Sequence, residues 1–169
     1  MPAEVAKTAC CQEPTEQELL ARLDEVLDVV GKKTEVHLEL KRGSAFYSGI
    51  EGRVVELLRR RRALKTCVVS SFDHKALHAV RALEPKLRLG YLLGETPLAS
   101  AWDEMKELKA ESLHVSRRQA NAACVAGGHR RRFQVLVYTV DDAAEARRLQ
   151  KLGVDGVFSN FPRLLEKAP

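Results

Sequence analysis

Hydrophobic residues recur along this chain with two alternating periods. In "TEVHLELKRG", residues 34–43, Val36, Leu38 and Leu40 alternate with His37, Glu39 and Lys41. A period of two predicts a strand with an aliphatic face and an ionisable one. Before it, Leu19, Leu20, Leu23, Val26, Leu27 and Val30 fall at helical spacing between Pro14-Thr15 and Gly31, which predicts a helix over residues 14–31. After it, the same reading predicts helices over 47–64, 73–85, 98–110, 117–128 and 142–153, and a last helical turn over 162–167. Strands are predicted over 65–72, 87–93, 112–116, 133–140 and 154–160. Residues 1–13 read as a loose tail and 14–169 as a single domain.

Strands that alternate with short helices imply parallel βαβ units. A doubly wound sheet would carry a glycine-rich phosphate turn after an early strand. The pair Gly127-Gly128 instead precedes a strand. A barrel of eight units needs about 250 residues. With 169 residues, the chain is short of that by roughly two units of ~30 residues. The expected fold is therefore α/β: a partial TIM barrel of about six parallel strands, with the first two βα units missing.

Charge gives this layer a polarity. Arg59 to Arg62, Lys86, Arg88, Arg130 to Arg132, Arg147, Arg148 and Lys151 fall at helix ends or in turns that lead into strands. There they complement the negative ends of helix dipoles. Glu39, Asp73, Glu95, Asp141 and Asp142 fall at or just after strand C-termini. In a parallel α/β layer that second face is where active sites lie. The net charge of +5 is compatible with an anionic partner and does not demand one. The arginine run 59–62 has no interleaved aromatic residues to stack bases, so no nucleic-acid partner is expected. No apolar run approaches the ~20 residues of a membrane span. Cys10, Cys11, Cys67 and Cys124 make no metal spacing and read as reduced thiols of a cytoplasmic protein.

By pattern alone, Glu39 and Lys41 read most readily as a salt-bridged layer inside a barrel. His37 reads as a barrel-interior residue and His114 as a hydrogen-bonded structural one. His74 and His78, one helical turn apart, read as solvated. Ser70, Ser71 and Phe72 read as rim packing.

Three stretches together change that reading. "VHLELKRGSAFYSGIEGRVVELL" (36–58), "CVVSSFDHKALHAVRALEPKLRLGYLL" (67–93) and "QVLVYTVDDAAEARRLQKLGVDGVFSNFP" (134–162) resemble, in order and spacing, the glycerophosphodiester phosphodiesterases. The resemblance implies a phosphodiesterase TIM barrel that uses a divalent cation, Mg²⁺ or Ca²⁺, held by carboxylates, and two histidines for acid–base work. It implies Glu39 as a metal ligand and Lys41, Tyr138 and Phe72 as substrate-binding residues. Tyr138 stands where the family has Trp, and "SNFP" stands where it has Thr-Asp. The family's His-Arg-Gly and Glu-x-Asp segments and its His-Asp are absent. The expected activity of the complete form, in lipid and glycerol metabolism, is hydrolysis of a glycerophosphodiester to glycerol 3-phosphate and an alcohol. This chain is expected to be truncated, with no complete catalytic set and with weak or absent cation binding. The alternative is a non-catalytic phosphate-binding relic, or an interaction module that associates through open sheet edges.

Overall fold

The computed structural model describes residues 16–30 and 34–165. Its elements run α1 (Glu16–Val30), β1 (Val36–Glu39), α2 (Gly43–Phe46), α3 (Ile50–Arg60), β2 (Cys67–Ser71), α4 (His74–Leu83) and β3 (Arg88–Leu92). They continue through α5 (Leu98–Leu108), β4 (Ser112–Ser116), α6 (Ala122–Arg130), β5 (Gln134–Tyr138), α7 (Ala143–Leu152), β6 (Gly156–Val157) and α8 (Pro162–Leu165). All six strands are parallel and lie in sequence order, β1-β2-β3-β4-β5-β6. This is a curled half-barrel, as the alternating periods predict. The sheet bends far enough to bring the rings of His37 on β1 and Phe158 after β6 to 5.2 Å.

Local signals start the helices where the strands end. Asp73 caps α4 by accepting from Lys75 N, Asn121 caps α6 by accepting from Cys124 N, and Asp142 caps α7 by accepting from Glu145 N. Gly153, at φ 85, closes α7. Cys67, Val69, Leu89, Tyr91, Leu113, Val115, Val135 and Val137 point out of the sheet into one core with Leu58, Leu77, Met105, Leu108, Cys124 and Leu149 of the helices. The alternate strand residues face the barrel interior. Strand period and sheet curvature thus separate a dry helix–sheet core from a second, smaller inner space.

Three elements differ from the sequence pattern. The helix expected from Tyr47 begins at Ile50, after Gly49 at φ 74, and a short helix not expected from the pattern, α2, precedes it. The helix expected from Arg117 begins at Ala122, since the Gln119 side chain accepts from Ser116 N and folds residues 116–119 into a turn. The last strand contracts to Gly156–Val157, whose one neighbour is β5. The tail expected over 1–13 lies outside the described residues, as do Cys10 and Cys11.

Candidate functional site

The strand C-terminal ends enclose a cavity of about 290 Å³, with Glu39, Ser70, Phe72, Leu92 and Tyr138 among its walls. His37, His114, Thr139 and Phe158 also line it. The register explains the gathering. Glu39 pairs with Ser70 and Ser116 with Tyr138, so inward residues of neighbouring strands reach the same level. Glu39 is exposed at the strand end, and Tyr138 is half-buried. Burial first, and the Glu39 charge second, push the Tyr138 hydroxyl pKa upward.

Three of the four residues proposed from sequence therefore meet: Glu39, Phe72 and Tyr138. Lys41 does not join the lining. It is exposed just past β1, on a chain that turns away through Arg42 (φ 61) and Gly43 (φ 48). A Cβ at Gly43 would stand 2.8 Å from Ala76 Cβ, so this turn requires glycine on packing as well as on φ. Buried Glu51 fixes the same turn by accepting from Ser44 N at 2.7 Å and from the Ser44 hydroxyl. Lys41 is thus placed at the rim by a rigid support.

Below the rim lie two histidines. The His37 ring faces His114 at 5.6 Å, and Phe158 leans on both. His37 Nε2 is 2.9 Å from Glu35. His114 is buried, with Nε2 2.9 Å from Ser112 Oγ. Burial, aided by His37, pushes the His114 pKa down to about 3. It is a neutral imidazole in ordinary buffers.

His74 and His78 are not both solvated, as the helical spacing suggested. His74 is half-buried, stacks on Tyr91 at 3.8 Å, and lies 3.0 Å from Leu92 O. Both imidazoles face Glu104, at 3.3 and 3.5 Å. They tie α4 to α5 on the outer side of the sheet. Spacing within one helix carries no information about a carboxylate on the next.

Phe158, Leu92 and Thr139 are lining residues that sequence reasoning missed. For Phe158 and Leu92 the signal was present, since both alternate in phase with inward Gly156 and Gly90. The acidic rim also reads differently in place. Asp73 and Asp142 are helix caps, and Asp141 binds the loop after β6 by accepting from Asn160 N and Nδ2 at 2.8 Å and from Ser159 Oγ at 3.1 Å. These bonds, the Asn160 backbone bond foremost, hold its carboxyl below the usual range.

Among the described residues Glu39 is the one carboxylate lining the cavity. Among the described residues no group of three or more His, Cys, Asp or Glu side chains is placed to hold a metal ion. A hard divalent cation takes six or more oxygen ligands. The residues described here fit one ligand of such a site and not the whole of it.

An α/β barrel segment with a small polar–aromatic cavity at its strand C-termini is the framework of a TIM-barrel enzyme site. The model of the glycerophosphoryl diester phosphodiesterase family matches residues 4–164, and the chain belongs to that family. It is 30% identical over 149 residues to a glycerophosphodiester phosphodiesterase of Caldanaerobacter subterraneus subsp. tengcongensis, covering 88% of this chain and 61% of that one. It is also 30% identical over 159 residues to the Bacillus subtilis glycerophosphodiester phosphodiesterase, covering 86% and 52%. The chain thus spans between half and two-thirds of the length of these relatives. Among solved structures, an Oleispira antarctica phosphodiesterase in complex with the product sn-glycerol-3-phosphate superposes with TM-score 0.73 at 26% identity, over 92% of this chain and 60% of that one. A Thermotoga maritima glycerophosphodiester phosphodiesterase gives 0.71 at 21%, over 92% and 70%.

Proposed function

We propose that this chain carries the phosphodiester-binding part of a glycerophosphodiester phosphodiesterase, and that the complete site hydrolyses a glycerophosphodiester to glycerol 3-phosphate and an alcohol. The convergence of Glu39, Phe72 and Tyr138 on one cavity at the strand C-termini, in a member of this family, carries the reading. Glu39 supplies one carboxylate ligand to a divalent cation, whose chemistry is to polarise phosphoryl oxygen. Lys41, at the rim, holds phosphate charge by a point cation. The aromatic walls shape the space for the organic part. The chain acts in the cytoplasm, without nucleic-acid partners.

The chain by itself is catalytically incomplete. A phosphodiester hydrolase needs a proton donor for the leaving oxygen and a base for the attacking one, worth roughly 10²–10⁴-fold each way. The two histidines that share the cavity with Glu39 are engaged by the protein, and His37 Nε2 lies 2.9 Å from Glu35. His114 stays neutral, with its Nε2 engaged by Ser112. The test joins this chain to the first two βα units of the Bacillus subtilis relative. The fusion is expected to release glycerol 3-phosphate from glycerophosphocholine in a cation-dependent way, and Glu39→Ala in the fusion abolishes it. The isolated chain is expected to release none. Cation-dependent turnover by the isolated chain, lost on Glu39→Ala, would show that the catalytic groups are misassigned.

A second reading, an interaction module, rests on the sheet edges. Among the described residues β1 pairs only with β2 and β6 only with β5. Both edges present backbone groups to a partner strand.

A further inference from the structure

Four of the turns that carry the chain from a helix into the next strand share one hydrogen-bond pattern. In each, a left-handed residue donates its N–H three residues back, and the next residue donates five back. After α3 these bonds run from Arg62 to Arg59 O and from Ala63 to Leu58 O; after α5, from Lys109 to Lys106 O and from Ala110 to Met105 O. After α6 they run from Arg132 to His129 O and from Phe133 to Gly128 O; after α7, from Gly153 to Gln150 O and from Val154 to Leu149 O. This helix ending favours glycine at the left-handed position. Arg62 (φ 55), Lys109 (φ 49) and Arg132 (φ 66) hold it with a side chain, which strains the backbone relative to glycine. Helix dipoles do not account for these cations, because the last turns already carry Arg59 and Arg60 in α3, Lys106 in α5 and Arg130 in α6. All three side chains are exposed, as are Lys65 before β2 and Lys86 before β3. The sheet is parallel and in sequence order, so these turns share the strand N-terminal face, opposite the cavity. The carboxylates beside them are engaged: Glu84 by Arg59, Glu111 by Arg88, Glu35 by Arg88 and His37, and Asp155 by His129 and Val135 N. Exposed Glu107, in the last turn of α5, subtracts one charge and leaves the face positive.

We propose that the strand N-terminal face, with Arg62, Lys65, Lys86, Lys109 and Arg132, is a docking surface for an anionic phospholipid bilayer. Adjacent strands start about 5 Å apart, so the turns before β2, β3, β4 and β5 form one arc. Leu83 sits within that arc at the end of α4, 46% exposed, between the cations of the turns on either side. Exposed Pro85 follows it. An apolar point among cations suits the boundary between head groups and acyl chains: the leucine leaves water while the cations meet lipid phosphates. A nucleic acid would leave Leu83 in water, and it binds best where bases can stack on aromatic faces. Phe133, the aromatic residue of these turns, is already stacked on Trp102. Exposed Phe46, Phe72 and Phe161 all follow strand C-termini, on the opposite face. With the chain docked in this way, the cavity opens away from the bilayer.

The experiment measures co-sedimentation of the full chain with vesicles of phosphatidylcholine alone and of phosphatidylcholine with an equal part of phosphatidylglycerol. Binding is expected to the anionic vesicles and to fade as salt shortens the screening length from ~10 Å at 0.1 M towards ~3 Å at 1 M. The decisive variant combines Arg62→Gly, Lys109→Gly and Arg132→Gly. Glycine suits the left-handed turns, so the thermal midpoint is expected to hold or rise. Each cation near an anionic surface tightens binding about fivefold, so the triple variant is expected to bind about 100-fold more weakly. Lys65→Ser with Lys86→Ser, at ordinary backbone angles, gives an independent measure with an expected loss of about 25-fold. Leu83→Ser is expected to weaken vesicle binding by up to about tenfold, the share of a half-exposed leucine, and to leave heparin binding unchanged. Equal binding to neutral and anionic vesicles, or undiminished binding by both cation variants, overturns the docking surface. Tighter binding to a single-stranded oligonucleotide than to the anionic vesicles, or no effect of Leu83→Ser on the vesicles, overturns the bilayer as its partner.

Discussion

His114 is kept neutral by its surroundings, and that has a price in acid. Burial, then the neighbouring His37, lowers its folded pKa to about 3 from an ordinary 6.5. Between those values the unfolded chain binds a proton that the folded chain refuses. The stabilisation is therefore fully present above pH 6.5 and is lost as pH falls towards 3. The slope this one group adds is at most about 1.4 kcal/mol per pH unit. Urea midpoints followed from pH 7 to 4 are expected to fall, and His114→Phe should flatten that dependence even if it lowers stability throughout. The ring also dictates its neighbour. A Cβ on Gly90 would lie 2.6 Å from both Cε1 and Nε2 of His114. Gly90→Ala is thus expected to cost about 1–3 kcal/mol in equilibrium unfolding, the usual range for overpacking. A cost below the detection limit would mean that the ring moves aside freely.

At the scale of elements, the helices are joined by side chains that satisfy carbonyls at helix ends. Arg81, near the end of α4, donates to Leu108 O and Lys109 O at the end of α5, and to Pro85 O and Leu87 O in the turn before β3. A planar guanidinium matches this set and an ammonium does not. Arg81→Met is expected to destabilise by about 2–3 kcal/mol, since charged hydrogen bonds contribute about 1.5–3 kcal/mol each and water replaces some of them. Arg81→Lys should recover less than half of the loss. Full rescue by lysine in a thermal melt would show that charge alone, without the fork, holds the two helices. Arg59 works in the same manner between α3 and α4, with Nε on Glu84 and Nη2 on Leu83 O. Arg59, Arg60 and Arg61 of the arginine run are therefore inter-helix ties, the last two facing Asp24 on α1.

For the whole molecule the deciding feature is an open sheet. The order β1-β2-β3-β4-β5-β6 leaves β1 and β6 at its two ends. Unpaired ladders of this kind promote strand addition by a second chain. The isolated chain is expected to show an average mass that rises with concentration in light scattering. A concentration-independent monomer with high thermal stability would count against open edges as adhesive surfaces. The His37–Phe158 contact lies inside, across the sheet's inner face, so the association is expected to run through the backbone edges.

The sequence by itself determined the order and type of the elements other than α2. The period of two against the period of 3.6 depends only on neighbours along the chain, and so do the caps at Asp73 and Asp142. It also determined the two faces of β1; the Glu39, Tyr138 and Phe72 walls came from the resemblance. What it left open depends on partners distant in sequence. Lys41 shares the strand parity of Glu39, yet the left-handed turn at Arg42 and Gly43, pinned by Glu51, carries it to the rim. His74 and His78 gain their carboxylate from α5. Phe72, just after β2, and Tyr138 of β5 meet across the cavity. Strand register and sheet curvature bring them together, and both arise from packing between elements that no local pattern records.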